Sequence, residues 1–192
     1  MGRNKAVVRL GSLTLLDRVA GRLAGQVASI AVNCSDPSIV PAGFACLPDP
    51  LPGKPGPLAG ILAALLYAEE RCPAATHVAT VPVDSPFFPR NIVSGLTLAV
   101  NGTGRIAVAR SGGRIHPIFA LWPLTHATIL QAWLAGENSR RVLDLLQPHN
   151  PVVVDFPLIE TTRGQLDPFF NINTSEDLEE AERWLRVFPG SS

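Results

Sequence analysis

An apolar run that ends at a single acid is the feature that most constrains the fold of this chain. Residues His77 to Val83 are largely apolar or β-branched and lead directly to Asp84, which is followed by Ser85 and Pro86. A short β-rich run that stops at proline predicts a buried strand ending at the edge of a sheet. In open α/β sheets, ligands bind beyond the carboxyl ends of strands, where a carboxylate can hold a divalent metal against nucleotide phosphates. The alternative is that Asp84 only opens a turn, because Asp-Ser-Pro is also favourable turn chemistry.

The bulk composition favours one cytoplasmic domain. The chain has 192 residues, of which 46% are hydrophobic, and this fits a single domain with a full core. Its formal net charge of +0 predicts no nucleic-acid-binding surface, which would need a basic surplus. The three cysteines lack CxxC spacing, so we expect reduced thiols rather than disulfides or a zinc site. No signal peptide is visible, and the longest apolar run, Ala59 to Ala68, is too short to span a bilayer, so we expect no membrane partner.

Alternating helical and strand patterns predict an α/β domain of three layers (αβα), with a mostly parallel sheet and one antiparallel hairpin. Apolar residues at helical spacing predict helices at 13–23, 58–71, 90–98, 125–135, 140–146 and 175–188. Short β-rich runs predict strands at 29–33, 44–47, 77–83, 105–110, 114–121 and 152–156. The hairpin signal is Ser111-Gly-Gly113, and Thr174 with Asp177 has the spacing of a capping box before the last helix.

Polar side chains follow several of the predicted strands. Asn33, Asp49 and Asp84 each lie at or just beyond a strand end, and they would line one crevice if those strands are parallel neighbours. Glycines between positions 53 and 60 allow a planar base to lie close to the backbone, because glycine has no side chain. Lys5 offers a cation for phosphate. The sequence Gly53-Lys54-Pro55-Gly56 has neither the spacing nor the residues of a Walker A loop, which argues against a P-loop GTPase.

Several motifs follow one another in an order typical of one enzyme family. They are Met1-Gly-Arg-Asn-Lys5, Gly56-Pro-Leu-Ala-Gly60, Val83-Asp-Ser-Pro86 and Phe170-Asn-Ile-Asn-Thr-Ser-Glu-Asp-Leu178. Each is weak alone, but as an ordered set over almost the whole chain they resemble the molybdenum cofactor guanylyltransferases. The resemblance implies a fold like that of nucleotide-diphospho-sugar transferases, with one nucleotidyltransferase domain over 1–192. It also implies transfer of GMP from GTP to the phosphate of molybdopterin-bound molybdenum, with release of pyrophosphate.

The resemblance assigns roles to particular residues. Lys5 matches the lysine that follows the family's phosphate loop, and Asp84 matches its magnesium-binding aspartate, so both are catalytic candidates and Mg²⁺ is the expected cofactor. Asn33 and Asp49 match nucleotide-contacting positions, and Gly-Pro-Leu-Ala-Gly resembles the guanine-selecting form of its motif. The expected substrate-binding residues are Lys5, Asn33, Asp49, Gly56, Pro57, Gly60, Asn171 and Asn173.

Structural roles are the alternative for several of these residues. Asn33 and Asp49 are also ordinary turn residues. Asn171 and Asn173 can equally bond the backbone before the last helix. His116 lies on an apolar strand, and we expect a packed histidine there rather than a catalytic base.

The amino-terminal motif departs from the family pattern. The family opens with a strand and a loop of the form Leu-Ala-Gly-Gly-x-Ser-x-Arg before its Met-Gly-x-x-Lys, whereas this chain begins at that Met. We expect the domain to be N-terminally incomplete by about 10–15 residues, which is one strand plus one loop. The missing strand would lie between the strands that lead to Asn33 and Asp84. The backbone N–H groups of such a loop normally hold the triphosphate.

Two other functions therefore stay open. One is a sibling cytidylyl- or sugar-phosphate nucleotidyltransferase with the same fold. The other is an inactive nucleotide- or partner-binding module that lacks the phosphate loop. For the first-named activity, the expected partners are GTP and the molybdopterin or molybdenum cofactor. Molybdoenzymes or their chaperones would receive the finished product.

Overall fold

The structure is a computed structural model that describes residues 4–51 and 56–188. Its helices are α1 (Leu15–Leu23), α2 (Pro57–Arg71), α3 (Ile92–Val100), α4 (His126–Ala135), α5 (Val142–Leu146) and α6 (Ser175–Leu185). Its strands are β1 (Arg9–Leu10), β2 (Leu13–Thr14), β3 (Ala31–Asn33), β4 (Ala45–Leu47), β5 (His77–Thr80), β6 (Ala107–Ser111), β7 (Arg114–Pro123), β8 (Val152–Asp155), β9 (Ile159–Thr161) and β10 (Gly164–Leu166).

The central sheet has four strands in the order β5-β7-β6-β8. Strand β7 runs antiparallel to both β5 and β6, whereas β6 and β8 are parallel. Three of the four strands therefore run in one direction, and the predicted α/β class with one hairpin is confirmed, although by pairing the sheet is mixed. The hairpin turns at Gly112 and Gly113, whose positive φ angles of 52° and 79° suit a tight turn between twisted strands.

Helices cover both faces of this sheet, so the three layers are confirmed. Neighbouring residues of β6 and β7 point to opposite faces, as the period of a strand requires. Val108, Ala120 and Trp122 pack with α2, α4 and α5. Ala107, Ala109, Phe119 and Leu121 pack with α1 and α3. These two apolar clusters form most of the core.

A separate pair of parallel strands, β3 and β4, lies beside the central sheet. Helix α2 joins β4 to β5 and packs against β3, β4 and β5. Between β3 and β5 lies a cavity of about 860 Å³, lined on one side by 28–33 and on the other by 77–83. Among the described residues, no strand bridges β3 and β5. The cavity is therefore at the position expected from the sequence for a further strand.

The amino-terminal segment packs against the carboxy-terminal helix. Leu10, Leu15, Phe87, Ile172 and Ala181 share one buried cluster, which brings β1, α1 and α6 together with the turn after β5. This packing positions the segment that carries Lys5 beside the segment that carries Asn173, far away in sequence.

Two features of the predicted elements need correction. The strand expected to run to Val83 ends at Thr80, because Pro82 has no N–H to donate to a sheet ladder. The last helix ends at Leu185 rather than at position 188. The antiparallel pairs β1–β2 and β9–β10 were not predicted, and β2 lies where the first helix was expected to begin. The other predicted helices and strands are confirmed, with ends shifted by one or a few residues.

Candidate active site

Asp84 lies in a turn beyond the end of β5, and two contacts attach this turn to the loop before α6. The backbone carbonyl of Asp84 accepts a hydrogen bond from the N–H of Ile172 at 2.8 Å. The hydroxyl of the next residue, Ser85, is fully buried and donates to Asn171 Oδ1. The Asp84 side chain keeps an exposure of 17%, so its carboxylate is held in place but is accessible to a ligand.

Lys5 connects this turn to the second asparagine of the loop. Its Nζ donates to Asp84 Oδ2 at 2.7 Å and to Asn173 Oδ1 at 2.5 Å. A 3₁₀ turn at Lys5–Val7 presents the lysine, and Asn4 caps this turn by accepting from the N–H of Ala6. The Lys5 side chain is one-third exposed. The structure thus places Lys5, Asp84, Asn171 and Asn173 in one group, which we call the lysine–aspartate cluster.

The lysine–aspartate cluster can supply one carboxylate to a metal ion but not a complete set of protein ligands. Among the described residues, no group of three or more His, Cys, Asp and Glu side chains is arranged to hold an ion. Asp84 is a hard oxygen donor, and no hydrogen bond between described residues uses its Oδ1. Magnesium in nucleotide-dependent enzymes is commonly bound by one or two carboxylates together with substrate phosphates. The donor set therefore fits a magnesium ion shared with a nucleotide and not an all-protein metal site.

A second group forms where β3 and β4 end. Asn33 Nδ2 donates to the carbonyl of Leu47 and to Asp49 Oδ1, both at 2.9 Å. Because both partners can only accept, the orientation of the Asn33 amide is fixed, and its Oδ1 points towards Gly60. No hydrogen bond between described residues uses Asp49 Oδ2, which leaves that oxygen as an acceptor for a ligand. We call Asn33, Asp49 and Gly60 the amide–carboxylate cluster.

Gly60 leaves space for the Asn33 side chain in the amide–carboxylate cluster because it has no Cβ. A Cβ at this position would lie 2.9 Å from Asn33 Cγ and closer still to its Oδ1. The predicted role of the glycines was to let a base approach the backbone, but at Gly60 the space is taken by the Asn33 amide. Gly56 has a φ of 83° and precedes Pro57 at the first position of α2, so both fix where this helix begins. The other residues of the predicted Gly53 to Gly56 loop lie outside the described residues.

The two clusters flank the cavity between β3 and β5 without touching each other. Asn33, Pro57 and Gly60 line the cavity on one side, and Val83, the neighbour of Asp84, lines it on the other. The sequence prediction placed Asn33, Asp49 and Asp84 in one crevice. The structure instead brings Asn33 and Asp49 into direct contact with each other, and Asp84 into contact with Lys5.

Two buried hydroxyls near the site were not among the predicted residues. Ser85 was visible only as the neighbour of Asp84, and nothing in the sequence indicated its contact with Asn171. Ser111 is 1% exposed and bonds both His116 and Asp167. The expectation of a packed His116 is confirmed, since its ring lies 4.6 Å from that of Phe169.

Comparison with known proteins now identifies the family. The family model described as MobA-like NTP transferase domain matches residues 1–152. The chain belongs to the MobA-like NTP transferase family. Residues Asn171 and Asn173 lie beyond this match, but they fall within the span of this chain that similarity to whole relatives covers.

Two relatives illustrate the similarity. A protein of Sinorhizobium fredii, named molybdenum cofactor guanylyltransferase, is 50% identical over 194 residues, covering 100% of this chain and 89% of the relative. A Rhizobium meliloti protein of the same name is 50% identical over 187 residues, covering 96% of this chain and 86% of the relative. The resemblance noted from the motifs is therefore confirmed.

Solved structures show the same fold. Molybdopterin-guanine dinucleotide biosynthesis protein A from Archaeoglobus fulgidus matches with a TM-score of 0.69 at 22% identity, over 95% of this chain and 90% of that chain. The 2-C-methyl-D-erythritol 4-phosphate cytidylyltransferase from Thermus thermophilus matches with a TM-score of 0.65 at 20% identity, over 95% and 94%. At these identities the matches establish the nucleotidyltransferase fold alone. In the described residues, no helix has the length and apolarity needed to cross a membrane.

Proposed function

We propose that the protein transfers GMP from GTP to the molybdopterin-bound molybdenum cofactor and releases pyrophosphate. The observation that carries this proposal is the contact of Lys5 with both Asp84 and Asn173 in a member of the MobA-like family. The names of the relatives at about 50% identity support the choice of acceptor and nucleotide. We further propose that the reaction takes place in the cytoplasm and depends on Mg²⁺.

The lysine–aspartate cluster supports a phosphoryl-transfer role. Substitution at the α-phosphorus of GTP needs an in-line geometry and neutralised charge more than it needs a covalent protein intermediate. The ammonium group of Lys5 would stabilise charge on the triphosphate. Asp84 and phosphate oxygens would hold Mg²⁺, which supplies electrostatic stabilisation of the leaving pyrophosphate. Since Lys5 pairs with Asp84 here, the lysine would have to turn from the carboxylate towards the phosphates for Asp84 to hold the ion.

The amide–carboxylate cluster supports selection of guanine. Guanine presents N1–H and N2–H₂ as adjacent donors, and an acceptor-only carboxylate such as Asp49 can take both. The hydrogen bond from Asn33 holds Asp49 in place for this task. Cytosine and adenine lack this donor pair, and loss of a buried pairing costs about 1–3 kcal/mol. We therefore propose that Asn33 and Asp49 discriminate in favour of GTP.

The acceptor provides the nucleophile. Among the described residues, no serine, cysteine or histidine side chain is hydrogen-bonded to Asp84 Oδ2 or Lys5 Nζ, and the hydroxyl of Ser85 is committed to Asn171. The molybdopterin phosphate is itself an oxygen nucleophile, so no group on the protein needs to form an intermediate. Molybdoenzymes or their chaperones would then take up the product.

A product assay with competing nucleotides tests this function. The protein is incubated with Mg²⁺, the molybdenum cofactor and either GTP or CTP, and both pyrophosphate and the dinucleotide product are measured. We expect the guanine dinucleotide with GTP and little product with CTP. A preference for CTP would favour the cytidylyl alternative, and tight GTP binding without product would favour the binding module. Asp49→Asn should reduce the preference, whereas Asp36→Asn, at an exposed neighbouring turn, should preserve it.

A further inference from the structure

A polar network of two buried side chains, Ser111 and His116, and the partly exposed Asp167 lies at the turn of the β6–β7 hairpin. Ser111 Oγ is 2.6 Å from Asp167 Oδ1 and 2.9 Å from His116 Nε2. The His116 side chain is only 11% exposed, and its ring packs against Phe169 at 4.6 Å. The established family membership assigns no role to this network.

Hydrogen-bond chemistry fixes where the protons lie. An ionised Asp167 can only accept, so the one hydroxyl proton of Ser111 is donated to it. The Ser111 oxygen must then accept from His116, which requires a proton on Nε2. Burial lowers the pKa of His116, so the ring is neutral near pH 7 and carries its single proton on Nε2. The direction of donation is therefore His116 to Ser111 to Asp167.

Asp167 begins the loop that ends at the lysine–aspartate cluster. Its Oδ1 also accepts the N–H of Phe169 at 2.8 Å, and its carbonyl accepts the N–H of Phe170 at 3.0 Å. Farther along, Asn171 accepts from Ser85, and Ile172 donates to the Asp84 carbonyl. The loop 167–173 is thus attached at one end to the hairpin and at the other to Asp84 and Lys5.

We propose that His116 and Ser111 are positioning residues that set the loop 167–173, and through it Asn171 and Asn173, against Asp84 and Lys5. The effect on catalysis rests on the proposed nucleotidyl transfer, whereas the effect on the loop does not. Neither residue touches the reacting atoms in this scheme. Their contribution is to hold Asp167 through the donated hydrogen bonds.

A pair of substitutions separates hydrogen bonding from ring packing. His116→Phe keeps an aromatic ring against Phe169 but has no donor. His116→Gln loses the ring, but its amide can place an N–H near the original Nε2. We expect His116→Phe to lower kcat/KM for GMP transfer about tenfold, less than the roughly hundredfold that a 1 Å displacement can cost. We expect His116→Gln to stay within about threefold of the wild type on the same grounds.

Nuclear magnetic resonance of the full ¹⁵N-labelled chain tests the loop without any activity. The proposal predicts a protonated Nε2 and a bare Nδ1 at His116. It also predicts shifted side-chain amide signals of Asn171 and Asn173 in His116→Phe and in Ser111→Ala, but wild-type signals in His116→Gln. The Ser111→Ala variant keeps the test decisive if His116→Phe does not fold.

The opposite ranking of His116→Phe and His116→Gln in kcat/KM would overturn the proposal. If His116→Phe behaves as the wild type while His116→Gln is impaired, the ring acts by packing alone. Unchanged amide signals in both Ser111→Ala and His116→Phe would likewise refute positioning. If the wild type transfers no GMP but the amide signals shift as expected, the proposed function fails and the positioning role stands.

Discussion

Asn33 shows how one side chain can connect a proposed base-recognition site to helix packing. Its amide bonds the Leu47 carbonyl and Asp49, and its remaining oxygen lies against Gly60 in the first turn of α2. Two strands and one helix therefore determine the orientation of Asp49. The Gly-Pro-Leu-Ala-Gly motif thus contacts the proposed ligand site through Asn33, and a glycine is needed at position 60 because of that neighbour.

We predict that Gly60→Ala weakens GTP binding about tenfold, because the new methyl group displaces the Asn33 amide and removes hydrogen bonds worth about 1 kcal/mol each. The fold should survive, since a side-chain amide can rotate away. Titration calorimetry with GTP measures the effect. Gly21→Ala in α1 is the control, because a Cβ there meets nothing within 4 Å. It should leave binding unchanged and raise stability by up to about 1 kcal/mol. Equal affinities in Gly60→Ala and the wild type would contradict this account of Gly60.

Helices α1 and α6 begin with the same type of capping box, but the two boxes differ in what else they contact. In α1, Thr14 caps the N–H of Asp17, and in α6, Thr174 caps the N–H of Asp177. Asp177 Oδ2 also accepts the N–H of Asn173 at 2.9 Å, so the second box is joined to the lysine–aspartate cluster. The first box has no such connection among its recorded hydrogen bonds.

Thr14→Ala and Thr174→Ala should each lower the free energy of unfolding by about 1 kcal/mol, the usual contribution of an N-cap. Only Thr174→Ala should also reduce turnover, because it loosens the segment that carries Asn173. Chemical denaturation and steady-state assays on the same preparations give both quantities. Similar turnover in the two variants would show that the cap of α6 is purely structural.

The capping carboxylate also predicts a pH dependence of stability. The N–H groups of Asn173 and Thr174 lower the pKa of Asp177 below its reference value of 3.8, with a smaller effect from Lys5. The folded state then binds this proton less readily than the unfolded state, so the stabilisation is complete above 3.8 and is lost on further acidification. Wild type and Asp177→Asn should therefore differ in unfolding free energy at pH 7 and converge in strong acid. A difference that persists unchanged below pH 3 would refute this assignment.

Most elements could be predicted from local signals in the sequence. Long-range contacts between side chains could not. The helix at Leu15–Leu23 has apolar spacing and a cap within its own residues. The strands Ile159–Thr161 and Gly164–Leu166 are too short to show a period. The early end of β5 has a local cause in Pro82, although the apolar pattern continues to Val83. The contact of Lys5 with Asp84 joins residues 79 positions apart. The family resemblance made both residues catalytic candidates, but it did not predict that they touch. Ser111 and Asp167 are 56 positions apart, and no motif indicated their pairing.

At the scale of the whole molecule, the cavity between β3 and β5 separates two strand edges. In the described residues, β5 pairs only with β7, and β3 pairs only with β4, so each has one edge free of strand partners. Their facing edges leave backbone N–H and C=O groups without ladder partners, which favours association with another strand. The lysine–aspartate and amide–carboxylate clusters lie on either side of this cavity. A strand that filled the cavity would therefore also set the distance between the two clusters.

We predict that an amino-terminal extension of about 10–15 residues, with an apolar run followed by Gly-Gly and a basic residue, stabilises the protein by adding a strand in this cavity. For a domain of this size, each additional kcal/mol corresponds to about 2–4 °C in Tm. GTP should also bind far more tightly, because loop N–H groups would reach the phosphates. Calorimetry should find both gains for the apolar extension and neither for a Gly/Ser extension of equal length. Equal Tm and GTP affinity with the two extensions would argue against a strand in the cavity.

The most direct test of the central claim is the rate of Mg²⁺-dependent pyrophosphate release from GTP, with the molybdenum cofactor present as acceptor, in Asp84→Asn and Asp155→Asn. Asp155 is the matched control, because it also forms an ion pair, with Arg110 at 2.5 Å, but on an exposed strand end. We predict a loss of about 10²–10³-fold for Asp84→Asn, as expected when a preorganised electrostatic group is removed. Asp155→Asn should retain the wild-type rate, and both variants should keep the wild-type circular dichroism spectrum. A wild-type rate in Asp84→Asn, or an equal loss in both variants, would contradict the account.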